Sequence, residues 1–106
     1  MKKIECIIRS EKLKDISESL RKIGIGGMTI SDVRGFGTQN DRGGDLLFLH
    51  KTRIDIYATE RQVKKIISVI LMHCSAGKVG DGKIAILPLE DCIRVRTGER
   101  GEKAIA

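Results

Sequence analysis

The feature that most constrains the fold of this chain is a β–α–β pattern that occurs twice, about fifty residues apart. In the first half, Ile4, Cys6 and Ile8 alternate with other residues, which is typical of a strand. An amphipathic helix is expected to open at Ser10 and Glu11, because apolar residues recur at spacings of three and four until Gly24 ends the run. Residues 28–34 predict a second strand.

The second half repeats this order. Residues 52–58 alternate in polarity and predict a strand, and Thr59 is a suitable N-cap for an amphipathic helix that runs to Cys74. Residues 83–87 predict a further strand. Between the halves, residues 38–50 are polar first and apolar later, which indicates a loop with an apolar return.

Together the halves predict one α+β domain over residues 1–106, a ferredoxin-like double β-α-β sandwich. Both helices would pack on one face of an antiparallel sheet. The alternating stretch 93–97 fits a short fifth strand or an arm. A chain of 106 residues has no further element to cover the other face of the sheet, so we expect a symmetric oligomer.

The composition restricts the partners. The chain carries 20 lysines and arginines against 14 acids, a net charge of +6, which favours anionic ligands. Nucleic acid is not expected, because single-strand binding needs stacking aromatics and only two phenylalanines and one tyrosine are present. No apolar run approaches the roughly 20 residues of a membrane span. The N-terminal residues show no signal-peptide pattern. The three cysteines lack metal-ligand spacing, so we expect free thiols in a reducing compartment.

Three segments could bind an anion, and each also has an ordinary structural interpretation. The glycine-rich segment 77–83 could turn its N–H groups toward an anion, or it is a helix C-cap followed by a tight turn. Residues 35–39 could hold a carboxylate or ligate Mg²⁺, or they form a loop entry. Arg94 and Arg96 lie two apart and could grip phosphate together, or they belong to a solvated basic tail.

No group of residues carries an enzyme signature. His50 and His73 have no nearby Cys or His partners in the sequence, so a metal site there is not expected. Glu90 and Asp91 fit a surface turn better than an acid–base pair.

Four segments, residues 2–9, 33–37, 77–84 and 93–99, together resemble the PII signal-transduction (nitrogen regulatory) protein family over nearly the whole chain. The resemblance implies a homotrimer with nucleotide sites in the clefts between subunits, where ATP and ADP compete. It also implies that 2-oxoglutarate binds when Mg-ATP is present and reshapes the long T-loop, here about 37–51. That loop would bind a regulated partner protein, either an enzyme or an ammonium transporter.

The resemblance implies which residues bind the nucleotide. The expected set is Ile7, Thr29, Gly35, Gly37, Thr38, Gly80, Asp81, Gly82, Lys83, Arg94 and Arg96. Lys83 would contact the phosphates. Arg94 and Arg96, on a C-terminal arm over about 93–106, would reach into the cleft of the neighbouring subunit.

The same resemblance places an effector beside the nucleotide. 2-Oxoglutarate would contact Gln39, Lys51 and Gly80, and Gln39 would also ligate Mg²⁺ together with the ATP phosphates. The adenine would lie against Ile7 and Thr29. A Mg²⁺ ion that bridges the two ligands would make each bind more tightly in the presence of the other, because such coupling is reciprocal.

The chain departs from the family in the T-loop, which is several residues shorter than usual. Thr38 stands where the family often has a basic residue, which would remove one phosphate contact. The tip tyrosine and serine that some members modify correspond to Leu46 and Gly44, so covalent control at the tip is not expected. The apolar return over residues 46–49 would dock on a partner or pack on the trimer.

The sequence therefore predicts a non-enzymatic protein that senses ATP or ADP and 2-oxoglutarate and regulates enzymes or transporters of nitrogen metabolism. The alternatives are an adenine-nucleotide sensor without a 2-oxoglutarate response, a ferredoxin-like small enzyme such as an acyl-phosphate hydrolase, a metal-tolerance trimer and a basic RNA-binding module. The expected location is cytoplasmic, or the plastid stroma for a plastid-encoded gene. We expect no membrane insertion.

Overall fold

The alternating segments form strands in the computed structural model, which describes residues 1–37 and 48–106. The strands are β1 (Lys2–Ile8), β2 (Thr29–Gly35), β3 (Leu49–Ala58) and β4 (Gly82–Pro88). The helices are α1 (Leu13–Lys22), α2 (Glu60–Cys74) and the short α3 (Glu102–Ile105).

The strands form one sheet in the order β2–β3–β1–β4, and every neighbouring pair is antiparallel. The first strand of each half is thus central, and the two halves interleave. This order confirms the ferredoxin-like α+β fold predicted from the doubled pattern. The register pairs Ile4 with both Ile56 and Ile86, so these three side chains point to the same face of the sheet.

The core lies between that face and the two long helices. Its buried residues are Ile4, Cys6, Ile8, Ile16, Leu20, Ile54, Ile56, Ala58, Ile66, Ile70 and Cys74. Burial of each large aliphatic side chain contributes about 1.5–3 kcal/mol, so this cluster supplies most of the driving force for folding. The three cysteines are free, as expected, and burial raises the pKa of the Cys6 thiol to about 11.

The start of α2 agrees with the prediction, and the start of α1 differs from it. Thr59 and Gln62 form a capping box, in which the Thr59 N–H donates to Oε1 of Gln62 at 3.0 Å. The first helix was expected to open at Ser10. Instead, Ser10–Lys12 form a 3₁₀ turn, and α1 begins at Leu13.

Two further segments, the start of β3 and the stretch 93–97, also differ from expectation. β3 begins at Leu49, so the last residues of the predicted loop 37–51 pair with β2 as part of the sheet. The stretch 93–97 is an arm and not a fifth strand, because Ile93 makes only a single bridge, to Arg100.

The residues numbered 38–47 lie outside the described part of the chain. The predictions for Thr38, Gln39, Gly44, Leu46 and the apolar return before Phe48 fall there.

The second face of the sheet carries a charged network, and neither α1 nor α2 packs on it. Nζ of Lys3 lies 3.6 Å from carboxylate oxygens of both Glu5 and Asp55. Arg53 lies 3.3 Å from Glu5 and 3.1 Å from Asp55. Register places all four side chains on this face, because they alternate with the buried residues of β1 and β3.

Among residues 1–37 and 48–106, no helix is long and apolar enough to cross a membrane.

Candidate functional site

A cleft of about 410 Å³ opens on the helix-free face, at the edge where β1 and β2 end and β3 and β4 begin. Its lining residues are Ile7, Val33, Arg34, Gly35, Phe36, Gly37, Leu49, Lys51, Gly80, Gly82 and Lys83. Three of these residues are cationic and none of them is acidic. The cleft is therefore suited to an anion.

The structure brings together much of the residue set that the sequence analysis selected. Seven predicted ligand residues line this one cleft: Ile7, Gly35, Gly37, Lys51, Gly80, Gly82 and Lys83. They come from four separate segments of the chain, and the sheet register unites them. Lys83 and Ile7 are direct cross-strand neighbours on β4 and β1.

The turn between α2 and β4 is shaped by Asp81. Its Oδ2 atom accepts hydrogen bonds from the backbone N–H of Ala76 at 2.8 Å and of Lys78 at 3.1 Å. These bonds, with Arg9 nearby, hold the pKa of the Asp81 carboxyl below its usual value. Asp81 is not among the residues described as lining the cleft. Its carboxylate is used inside the turn, where it accepts these two backbone N–H groups.

Two cations from neighbouring strands anchor the same turn. Nη2 of Arg9, just after β1, donates to the carbonyl oxygen of Val79 at 2.8 Å, and its Nε lies 3.6 Å from Oδ1 of Asp81. Nζ of Lys51, on β3, donates to the carbonyl oxygen of Gly80 at 2.7 Å. Burial, reinforced by the charge of Arg9, lowers the pKa of Lys51. An anion beside Lys51 would oppose both effects.

Gly82 allows β4 to approach β1 where the turn ends. Its φ is +115°, and a Cβ atom at this position would overlap the carbonyl oxygen of Ile7. Only glycine fits both the dihedral angle and the space. The close approach brings the backbone of the turn into the cleft.

An aromatic pair stands at the rim. The rings of Phe36 and Phe48 are stacked with centroids 6.1 Å apart. They remain 83% and 52% exposed, respectively. Phe36 also lines the cleft, so a bound molecule would reduce the apolar surface that this ring presents to water.

The structure places three expected nucleotide residues away from this cleft within one chain. Thr29 lies at the start of β2, opposite Asp55, whereas the cleft is at the other end of that strand. Arg94 and Arg96 lie on the C-terminal arm, and neither is among the described lining residues. The Arg94 guanidinium binds the carboxylate of Glu99 at 2.9 Å, while Arg96 is exposed.

Arg9 anchors the glycine-rich turn, and sequence reasoning did not single it out. It lies in one of the segments that carry the family resemblance, but nothing in its immediate neighbours indicates a contact with residues 79 and 81. The available signal was a basic residue directly after a strand that adjoins a glycine-rich turn.

Within the part of the chain that the structure describes, no group of three or more His, Cys, Asp or Glu side chains could hold a metal ion.

Comparison with known proteins gives consistent matches. The family model described as "Nitrogen regulatory protein P-II" matches residues 1–99. A Pasteurella multocida protein of that name is 46% identical over 112 residues, which cover 99% of this chain and 100% of that protein. An Arabidopsis thaliana "Nitrogen regulatory protein P-II homolog" is also 46% identical, over 96% of this chain, but the match spans only 56% of that longer protein.

The fold agrees with a solved structure. The crystal structure of Arabidopsis thaliana PII bound to citrate superposes with a TM-score of 0.84 at 44% sequence identity. The superposition covers 98% of this chain and 88% of that chain.

Proposed function

Because the chain belongs to the nitrogen regulatory protein P-II family, we propose that it is a trimeric sensor that binds ATP or ADP and 2-oxoglutarate. The family is named for regulation, so the chain is a regulatory protein and not an enzyme. The proposal extends this assignment to specific ligands. The observation that carries it is the convergence of Lys51, Lys83 and the turn glycines Gly80 and Gly82 in one cleft.

The chemistry of the cleft supports a phosphate ligand. Lys83 supplies a point charge from β4, and the turn beside it contains Gly80 and Gly82, whose φ angles are +96° and +115°. Such turns direct backbone N–H groups toward an anion. The cleft volume of about 410 Å³ also falls in the range of small-molecule sites.

Lys51, which contacts the glycine turn, supports a carboxylate ligand beside it. Its ammonium group is partly desolvated and lies beside Arg9, so a carboxylate would restore the charge balance. The Arabidopsis relative in the solved structure holds citrate, which is itself a carboxylate anion. We assign the 2-oxoglutarate carboxylate to Lys51, and we assign Mg²⁺, held with the ATP phosphates, to Gln39.

The uncovered sheet face supports the trimer. Its network of Lys3, Glu5, Arg53 and Asp55 lies on a surface that one chain leaves open. A neighbouring subunit would cover that face and bring the arm residues Arg94 and Arg96 to the next cleft. The T-loop over about 37–51 would then bind the regulated enzyme or transporter, in the cytoplasm or in a plastid stroma.

The test is calorimetry of ATP binding with Mg²⁺, with and without 2-oxoglutarate. We expect ATP to bind and 2-oxoglutarate to tighten it. Lys83→Gln should weaken ATP by about tenfold, as loss of a charge-assisted bond does. Lys51→Gln should abolish the effect of 2-oxoglutarate. Lys64→Gln, an exposed change on α2, is the matched control and should change neither measurement.

The other results have defined meanings. ATP binding without a 2-oxoglutarate effect would support the nucleotide-only sensor. Phosphate release at ordinary enzymatic rates would support the small-enzyme alternative. Absence of ATP binding would overturn the proposed function.

A further inference from the structure

One side of α2 is exposed along most of the helix. We call it the α2 strip, and it consists of Arg61, Lys64, Lys65, Leu71 and Met72. Their spacings of three, four and seven residues place them on the side of α2 opposite its buried residues. From Arg61 to Met72 the strip is about 16 Å long, at the usual helical rise. Because the proposed trimer meets through the other face of the sheet, it would leave this strip open.

The half of the strip nearest the start of α2 is cationic. Arg61, Lys64 and Lys65 supply three positive charges, and the acid beside them, Glu60, is engaged by the N-terminal ammonium group at 3.0 Å. Within the described part of the chain, the one ion pair of these three cations is that of Arg61 with Glu102, at 4.0 Å. The charges of Lys64 and Lys65 are therefore available to an acidic partner.

The other half of the strip is apolar and borders a second cavity. Leu71 is 51% exposed and Met72 is 76% exposed. The cavity has a volume of about 350 Å³ and lies between α2 and the start of β4. Because Leu71 is half exposed and also forms part of its wall, the cavity reaches the surface beside the strip. Its apolar lining residues are Ile8, Ile70, Leu71, Cys74 and Ile84, and Ser75 and residues 81–83 complete the lining.

The cavity and the cations have a fixed separation. Lys64 and Leu71 are seven residues apart in one helix, which corresponds to about 10 Å. At protein interfaces, a large apolar side chain that fills a pocket supplies much of the binding energy, while charged residues around it direct the encounter. A partner that matches this surface therefore has carboxylates about two helical turns from an apolar anchor.

The neighbouring helix shows that the surface suits a narrow partner. α1 lies beside α2, with Oγ of Ser19 2.8 Å from Nε2 of His73, and it exposes the acids Asp15 and Glu18. A flat anionic membrane would meet both helices and would be repelled by these acids. RNA is also disfavoured, because the strip carries no aromatic side chain on which a base could stack. A single helix is narrow enough to follow α2 alone.

We propose that the α2 strip and the cavity beside Leu71 form a docking surface for an acidic helical segment of a partner protein. The carboxylates of that segment pair with the cations of the strip, and its large apolar side chain enters the cavity. This surface is separate from the loop 37–51, to which the proposed function assigns the regulated enzyme or transporter.

The probe is a fluorescently labelled helical peptide that has two glutamates one turn apart and a leucine two turns further along. A second peptide presents the same residues in the reverse order, so that both directions along α2 are tested. Each is titrated into the full chain and followed by anisotropy. We expect one of them to bind, and its leucine-to-serine form to bind at least about tenfold more weakly, because the cavity then receives no apolar anchor.

Lys65→Glu tests the cationic half of the strip. We expect the peptide to bind about threefold to tenfold more weakly, because an attraction between exposed charges becomes a repulsion. Lys14→Glu makes the same change at an exposed position on α1 and is the matched control, which should not alter the affinity. Both positions are exposed, so circular dichroism should show the wild-type helix signal for each variant.

The other outcomes would overturn the proposal. These are failure of both peptides to bind the wild-type chain, equal binding of the leucine and serine forms, and equal losses in Lys65→Glu and Lys14→Glu. A larger loss in Lys51→Gln than in Lys65→Glu would place the peptide in the anion cleft instead. Phosphatidylserine vesicles or an RNA oligonucleotide that bound the strip in place of the peptides would identify a different occupant. None of these measurements requires ATP, so the proposed function is tested separately.

Discussion

The ammonium group of Lys51 donates a 2.7 Å hydrogen bond to the carbonyl oxygen of Gly80, and so ties the first residues of β3 to the glycine turn before β4. These residues are 29 positions apart in sequence and lie at the two ends of the second β–α–β unit. The bond makes the turn and Lys51 parts of one wall of the cleft. A ligand that binds Lys51 would therefore act on the shape of the glycine turn.

The carboxylate of Asp81 should make stability depend on pH. Backbone hydrogen bonds from Lys78 and Ala76 lower its pKa from the usual 3.8. The stability it contributes is therefore complete above the unfolded pKa and is lost as pH falls through the lower folded pKa. We expect Asp81→Asn to unfold at lower urea concentration than wild type at pH 7, and the gap to close as pH falls below 3.8.

Asp32→Asn is the control for this experiment, because Asp32 is exposed on β2 and has no described hydrogen bond or ion pair. Its unfolding midpoint should match that of wild type throughout. A gap for Asp81→Asn that stays constant from pH 7 to the acid range would refute the role assigned to the carboxylate.

Gly82→Ala should destabilise the sheet. The added methyl group would overlap the carbonyl oxygen of Ile7, and φ of +115° is unfavourable for alanine. We expect a loss of more than about 2 kcal/mol in the free energy of unfolding, measured by urea denaturation. Gly27→Ala, where the structure leaves open space, should change the value by less than about 0.5 kcal/mol. Equal effects of the two changes would contradict this explanation.

The fold and much of the cleft could be predicted because their signals are local or depend on regular spacing. Thr59 marks the start of α2, because it is the N-cap of that helix. The alternation over 52–58 indicates a half-buried strand. Ile93 and Val95 alternate with polar residues in the same way. The pairing described for this stretch is nevertheless a single bridge, from Ile93 to Arg100. Periodicity shows that a segment can be a strand, but pairing decides whether it becomes one.

The roles of individual polar residues were harder to predict, because they depend on which segments the sheet register brings together. Asp81 was grouped with the ligand residues of its motif, and the structure uses it inside the turn. Arg9 carried no assignment, and it contacts Val79, which is 70 residues away in sequence. Arg94 was expected at a nucleotide, and within one chain it holds Glu99.

Arg9→Gln should weaken anion binding more than it weakens the fold. The change removes the hydrogen bond to the Val79 carbonyl and the charge beside Asp81, both of which position the turn. We expect ATP affinity to fall about fivefold to tenfold in calorimetry, the cost of losing a hydrogen bond from a charged group. Arg21→Gln, an exposed change on α1, should leave it unchanged. A large loss of stability without a change in affinity would make Arg9 a purely structural residue.

Arg53→Glu should disrupt assembly if the charged sheet face is covered by neighbouring subunits. Arg53 pairs with Glu5 at 3.3 Å and with Asp55 at 3.1 Å, so a glutamate would place three acids together on that face. Like charges at such separations repel one another, and burial between subunits would strengthen the repulsion. Sedimentation should show a trimer for wild type and for the helix-face control Arg21→Glu, and a smaller species for Arg53→Glu. Because the Arg53 side chain is 37% exposed in a single chain, Arg53→Glu should still fold, and its circular dichroism should retain the wild-type helix signal. A folded Arg53→Glu variant that sediments as a trimer would show that subunits meet through another surface.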